Sequence, residues 1–286
     1  MAPASLMNEL PRVVRRSGAT PEVMGILNVT PDSFSDGGRF FSLDAALEHA
    51  ARLRDEGASI IDVGGESARP GSQGVAEDEE LARVIPVIER IRSELGVPVS
   101  IDTSKPSVMR AAVRAGASMI NDVRALRERG ALAAASELGV PVCLMHMQGE
   151  PRTMQDAPHY EDVVGEVTAF LDERSLACEE RGIAADRIYV DPGFGFGKTL
   201  EHNLSLMASL DLLVTRGRPV LVGVSRKSIV GAIIQRPLGE RLHGSVALAV
   251  YAALKGVACV RVHDVGPTVE ALAMIRAVRE REAALH

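Results

Sequence analysis

Short runs rich in Val, Ile and Leu alternate with helical patterns along the chain, and nearly every run ends in a hydrogen-bonding side chain. Near-continuous apolar runs belong to strands buried on both faces, as in a parallel sheet covered by helices. Eight such strands and roughly eight helices fall within about 250 residues, a length that suits a closed barrel better than an open doubly wound sheet. The predicted fold is therefore α/β, a single (β/α)8 TIM barrel over residues 1–286, with 1–20 an irregular lead-in.

The first strand is predicted at 23–28, ending in Asn28, before a loop made by Pro31, Asp32, Ser33, Gly37 and Gly38. Ser42 or Asp44 can cap a helix carrying Leu47, Ala50 and Leu53 at helical spacing. Strand two is 59–64 and opens into a polar, glycine-rich loop. The acidic run 77–80 then suits the first turn of a helix, where it complements the dipole; Pro86 should kink this helix or sit near its start. Strand three is 97–102, followed by Thr103 or Ser104 as a cap and Pro106 in the first helical turn. Strand four is 118–121, strand five 140–146, and a helix follows at 161–181. Strand six, 188–191, delivers Asp191 to a turn with glycines at 193, 195 and 197, which allow backbone closed to other residues. Lys198 closes that loop and is expected to be solvated. Helices at 204–214 and 240–255 flank strand seven, 220–225. Strand eight is 258–263, and a last amphipathic helix starts near Pro267.

Composition narrows the function. The net charge of −6 disfavours a general nucleic-acid or anionic-membrane role. The absence of Trp argues against base-stacking platforms. Cys143, Cys178 and Cys259 are odd in number and lack CxxC spacing, so they read as core thiols in a reducing compartment. The N-terminal residues show no continuous apolar stretch of signal-peptide type, and the most apolar helix is too short to span a bilayer. The expected location is cytoplasmic.

In a parallel barrel the strand C-termini share one face, and chemistry sits there. The tips are Asn28, Asp62, Asp102, Asn121, His146, Asp191, Ser225 with Lys227, and Arg261 with His263. Asp102, Asn121 and Asp191 suit the ring edge of an amino-pyrimidine, since carboxylates accept paired N–H bonds and Asn both donates and accepts. Arg69, Lys227, Arg261 and His263 suit phosphate oxygens and a carboxylate. Together they suggest a heteroaromatic substrate bearing a pyrophosphate. Asn28 and Asp62 could meet a Mg²⁺ that keeps its waters and binds substrate phosphate. Only His146 and His263 stand at tips and no HExxH occurs, which disfavours a metallohydrolase. Ser225 has no nucleophile elbow around it. Met145 and its neighbours read as core.

Eight blocks in order carry a resemblance: MGILNVTPDSFSDGG, IDVGGESARPG, SIDTSKPSV, INDVRAL, LMHMQGEPRTMQ, DPGFGFGK, GVSRKS and VRVHDV. Over nearly its full length the chain resembles the dihydropteroate synthases, transferases of folate biosynthesis and the targets of sulfonamides. The resemblance implies a homodimeric barrel that joins p-aminobenzoate to 6-hydroxymethyl-7,8-dihydropterin pyrophosphate. It puts the pterin pyrophosphate at Ala68, Asp102, Asn121, Met145, Asp191, Phe196, Gly223, Lys227, Arg261 and His263. It puts p-aminobenzoate at Phe34, Arg69, Pro70 and Ser225, and Mg²⁺ at Asn28. Arg261, His263, Lys227 and Asp102 would carry the catalysis, and sulfonamides would be inhibitors.

One position departs from the family motif, where Thr or Ser is usual and this chain has Ala68. The lost hydroxyl should shift the balance between p-aminobenzoate and sulfonamides. Two other readings compete: a catalytically weak pterin-binding paralogue, and a methyltetrahydrofolate-type methyl-transfer barrel. The intact strand tips disfavour the first. The SFSDGG and ESARPG loops, and the lack of a corrinoid-binding partner domain in the chain, disfavour the second.

Overall fold

The computed structural model describes residues 20–30, 43–67, 72 and 74–285. Strands β1 (Glu22–Asn28), β2 (Ile60–Gly64), β3 (Val99–Asp102), β4 (Met119–Asp122), β5 (Val142–Met145), β6 (Ile188–Asp191), β7 (Leu221–Val222) and β8 (Cys259–Val262) form one parallel sheet in the order β6-β5-β4-β3-β2-β1-β8-β7. The ends of that order meet through a parallel bridge between Val190 and Val220, with Val190 N donating to Pro219 O at 3.0 Å. The ring of strands is thus nearly closed, a (β/α)8 barrel.

Around it run α1 (Leu43–Asp55), α2 (Glu77–Arg90), α3 (Pro106–Ala115), α4 (Ala131–Leu138), α5 (Val163–Glu180), α6 (Leu200–Ala208), α7 (Leu210–Val214), α8 (Ser228–Ile234), α9 (Leu242–Leu254) and α10 (Val265–Leu285). These exceed the roughly eight helices expected. The segment expected at 204–214 starts earlier, where Thr199 and His202 form a capping box, and breaks at Ser209 into α6 and α7. The short α8 had no counterpart in the sequence reading. Neither Thr103 nor Ser104 caps α3; Lys105 holds that position, with Pro106 in the first turn. Pro86 lies inside α2, which continues through it and ends in a π-helical turn at Ile91–Leu95. The acids 77–80 do occupy the first turn of α2, but Glu80 is buried and pairs with Lys105 Nζ at 2.5 Å. Ser42 lies outside the described residues.

Strand periodicity separates two layers of side chains. Val23, Leu27, Ile61, Val63, Val99, Ile101, Ile120, Leu144, Val190, Val222 and Val260 point outward into the large core shared with the helices. Residues of the other parity point into the barrel. Met24, Ile60, Met119, Cys143, Leu221 and Cys259 pack there with Tyr189 as an apolar floor. Two residues further along β2, β4, β5, β6, β7 and β8, toward the C-terminal mouth, stand Asp62, Asn121, Met145, Asp191, Gly223 and Arg261. All three cysteines are buried, and none forms a disulfide.

Candidate active site

The centre of the mouth is Arg261. Its Nε donates to Asp62 Oδ2 at 2.6 Å and its Nη2 to Asp102 Oδ2 at 2.9 Å. Asn121 Nδ2 donates to the same Asp62 oxygen at 3.0 Å. Burial alone would lower the Arg261 pKa, but the two carboxylates outweigh it and hold the guanidinium firmly charged. Burial lifts the Asp102 carboxyl to about 7 against the pull of Arg261, with Asp62 adding to the lift. Asp62 is fully buried, and its second oxygen, Oδ1, has no partner. Asp62 therefore organises Arg261 and Asn121, a role sequence reasoning missed when it considered Asp62 only as a metal contact.

The second wall is the loop after β6. Asp191 Oδ1 accepts from Gly193 N at 2.7 Å, and burial raises the carboxyl's pKa against the pull of Lys227. Gly193 (φ 68°) is obligatory, since a Cβ there would lie 1.9 Å from the His146 carbonyl oxygen. Every carbonyl from 193 to 198 accepts a hydrogen bond: Gly193 and Phe196 from Lys198, Phe194 from Lys227, Gly195 from Gln155, Gly197 from Tyr160 and Lys198 from Asn203. Such complete satisfaction fixes a loop that composition alone would leave free. Lys227 Nζ reaches Phe194 O at 2.5 Å and lies 4.7 Å from the centroid of the Phe196 ring. Burial brings its pKa down to about 8. Phe196 packs on Met145, Met147 and Met154, the apolar side of the mouth.

Lys198 is not solvated, contrary to expectation: it is 3% exposed. The reason is that the glycine turn curls its ammonium inward onto carbonyls. His146 points the same way, its Nδ1 2.9 Å from Lys198 Nζ and its ring edge-on to Phe170. Burial, with the Lys198 charge adding, lowers the His146 pKa to about 3; burial lowers that of Lys198 to about 7. His146 is thus a support beneath the site.

On the opposite side the chain turns sharply after β7. Ser225 Oγ accepts from His263 N at 3.1 Å and lies 3.1 Å from His263 Nδ1. Arg226 adopts φ 59°, and the turn is held by Ser245 Oγ, by Arg241 on the carbonyls of Arg226 and Lys227, and by a bidentate Arg226–Asp264 pair. These clamps come from α9 and the turn after β8, and no local sequence signal announced them. A Cβ at Gly223 would lie 3.8 Å from Arg261 and 3.9 Å from Lys227 Nζ, so a larger residue would fill the space between the cations. Asn28 stands half-buried at the tip of β1. Among the described residues, no group of three or more His, Cys, Asp or Glu could hold a metal. Phe34, Ala68, Arg69 and Pro70 lie outside the described residues.

An inward ring of acids, an amide and cations above an apolar floor defines a barrel enzyme for a polar heteroaromatic ligand. Residues 24–263 match the family model described as pterin binding enzyme. The dihydropteroate synthase of Escherichia coli strain K12 is 55% identical over 257 residues, 90% of this chain and 91% of that one. The Xanthomonas albilineans dihydropteroate synthase with 4-aminobenzoic acid superposes with a TM-score of 0.86 at 54% identity, covering 91% of this chain and 93% of that one. A Yersinia pestis dihydropteroate synthase with a sulfonamide drug complex gives 0.87 at 51% identity, covering 91% and 95%. The chain belongs to the dihydropteroate synthase family, and it is a transferase.

Proposed function

We propose that this enzyme joins p-aminobenzoate to 6-hydroxymethyl-7,8-dihydropterin pyrophosphate, giving 7,8-dihydropteroate and pyrophosphate. The observation that carries this is the inward layer at the barrel mouth, where Asp102, Asn121 and Asp191 face the cations Lys227 and Arg261. Asp191, Asn121 and Asp102 receive the donors of the amino-pyrimidine edge, and Lys227 serves its acceptors. Arg261 engages only Oδ2 of Asp102, which leaves the other oxygen for the ring. Met145, Phe196 and Gly223 shape the apolar walls. Arg261 and His263 meet the pyrophosphate; Ser225, with Phe34, Arg69 and Pro70, forms the p-aminobenzoate end.

An arylamine is already a nucleophile, so the difficult event is loss of pyrophosphate from the exocyclic methylene. The carbon–oxygen bond breaks with its electron pair leaving on pyrophosphate. Arg261 and His263 stabilise the charge that grows there. The pterin ring delocalises the cation left behind, aided by the nearby carboxylates, in an SN1-like path. The amine nitrogen then bonds to carbon and releases one proton. Asn28 offers a single neutral oxygen, and Asp62 is committed to Arg261 and Asn121. That donor set fits Mg²⁺, which keeps its waters and binds chiefly through substrate phosphate. Bound at Asn28, Mg²⁺ would supply Lewis-acid neutralisation of the leaving group.

The similarity to the Yersinia protein supports sulfonamides as competing ligands. Exposed apolar side chains on α9 and α10, Leu254, Met274 and Val278 among them, support a homodimer. No described helix is long and apolar enough to cross a membrane, and three buried cysteines without a disulfide suit the cytoplasm. Asp191→Asn should weaken pterin pyrophosphate binding by roughly tenfold to a hundredfold, the value of charged hydrogen bonds. Unchanged affinity by calorimetry would remove Asp191 from the ring edge.

A further inference from the structure

One buried cation lies outside the chemistry just described. Lys198 Nζ sits 3.0 Å from the carbonyl oxygens of both Gly193 and Phe196, 3.4 Å from that of His146 and 2.9 Å from His146 Nδ1. Its three ammonium hydrogens are shared among acceptors from two different strand tips, β5 and β6. The carbonyls it gathers bracket Phe194 and Phe196. Those two residues are the ones that touch Lys227, one through its carbonyl oxygen and the other through its ring. Neither Gly193 nor Gly197 (φ 62°) carries a side chain that could brace the loop, and a Cβ at Gly197 would collide with the Gln148 carbonyl. The loop's shape is therefore set by what its carbonyls bind, and Lys198 binds two of them at once.

We propose that Lys198 is a positioning residue for the pterin end of the site, tying the 193–198 loop to the β5 tip so that Phe196 and the Phe194 carbonyl hold Lys227 against the ring. The inference rests on the pterin reading given above. His146 completes the anchor: held neutral, its ring nitrogen accepts from the ammonium, and its own carbonyl marks the point where the loop crosses β5.

The test is a calorimetric titration of pterin pyrophosphate into wild-type protein and into Lys198→Met, paired with steady-state kinetics for both substrates. Lys198→Met is expected to weaken pterin pyrophosphate binding about tenfold or more, while KM for p-aminobenzoate stays within about twofold at saturating pterin pyrophosphate. In the double variant Lys198→Met/Phe196→Ala the loss should be no greater than in the weaker-binding single variant, because both act on one loop. Should Lys198→Met fail to fold, His146→Leu keeps the carbonyl bonds and is expected to move the same affinity in the same direction, about threefold. Unchanged affinity in a folded variant, equal losses for both substrates, or additivity with Phe196→Ala would overturn the proposal. A wild-type protein that binds no pterin pyrophosphate would sink the pterin reading itself, and this inference with it.

Discussion

His146 shows how a single side chain ties the site to stability. It is 6% exposed, edge-on to Phe170 and within 2.9 Å of an ammonium, so its protonated form is disfavoured twice over. Its folded-state pKa lies near 3 against an ordinary value of 6.5. Between those values the unfolded chain takes up a proton that the native protein refuses. The stability His146 contributes is therefore complete above pH about 6.5 and lost as pH falls toward 3, by up to about 1.4 kcal/mol per unit for one group. Urea unfolding as a function of pH should show this limb, and His146→Gln should flatten it. The His146 imidazole titrating near 6.5 in NMR spectra of the folded protein would contradict the burial argument. Residue identity was readable here; environment was not. The tip residues Asp102, Asn121, Asp191 and Arg261 announced themselves by ending apolar runs, whereas Lys198 looked solvated because its partners are carbonyls, which no sequence pattern displays.

At the scale of elements, the strands were legible because their period of two is enforced by a core on one side and a packed barrel on the other. The predicted strands overlap all eight observed ones; most lose a residue or two at their ends, and β7 shrinks to two residues before Gly223 and the turn at Arg226. Helix boundaries were less legible. The start of α6 depends on a reciprocal Thr199–His202 cap, and the α3 start falls on Lys105, whose side chain faces Glu66 and Glu80 instead of the helix end. The glycine loop makes a prediction of its own. Gly193 and Gly195 both have positive φ, 68° and 78°, but a Cβ at 193 meets backbone at 1.9 Å while one at 195 finds only the Lys227 side chain at 3.5 Å. Gly195→Ala should cost about 1–2 kcal/mol, the left-handed backbone penalty alone. Gly193→Ala should cost clearly more, because His146's carbonyl has to move. Equal urea midpoints for the two variants would mean that the loop is not pinned at β5.

For the whole molecule, the parallel order β6-β5-β4-β3-β2-β1-β8-β7 brings Asp62 and Arg261, 199 positions apart, into one hydrogen bond. The site exists only when the barrel closes, so its chemistry and its fold are inseparable. The outer surface adds the question of assembly. Leu254 on α9 and Met274 and Val278 on α10 are 52%, 68% and 53% exposed on adjoining helices, an apolar surface of the kind that partners cover. Sedimentation equilibrium should return twice the chain mass, and Leu254→Glu/Met274→Glu should return one chain mass; a monomeric wild type would contradict the assignment. The most direct measurement is turnover: the protein mixed with pterin pyrophosphate, p-aminobenzoate and Mg²⁺, with pyrophosphate release followed over time and each of the amine and the metal omitted in turn. Release that requires both, with 7,8-dihydropteroate formed in equal amount, is the expected result. Tight pterin pyrophosphate binding without amine-dependent release would contradict it and leave a barrel that holds the pterin but does not transfer it.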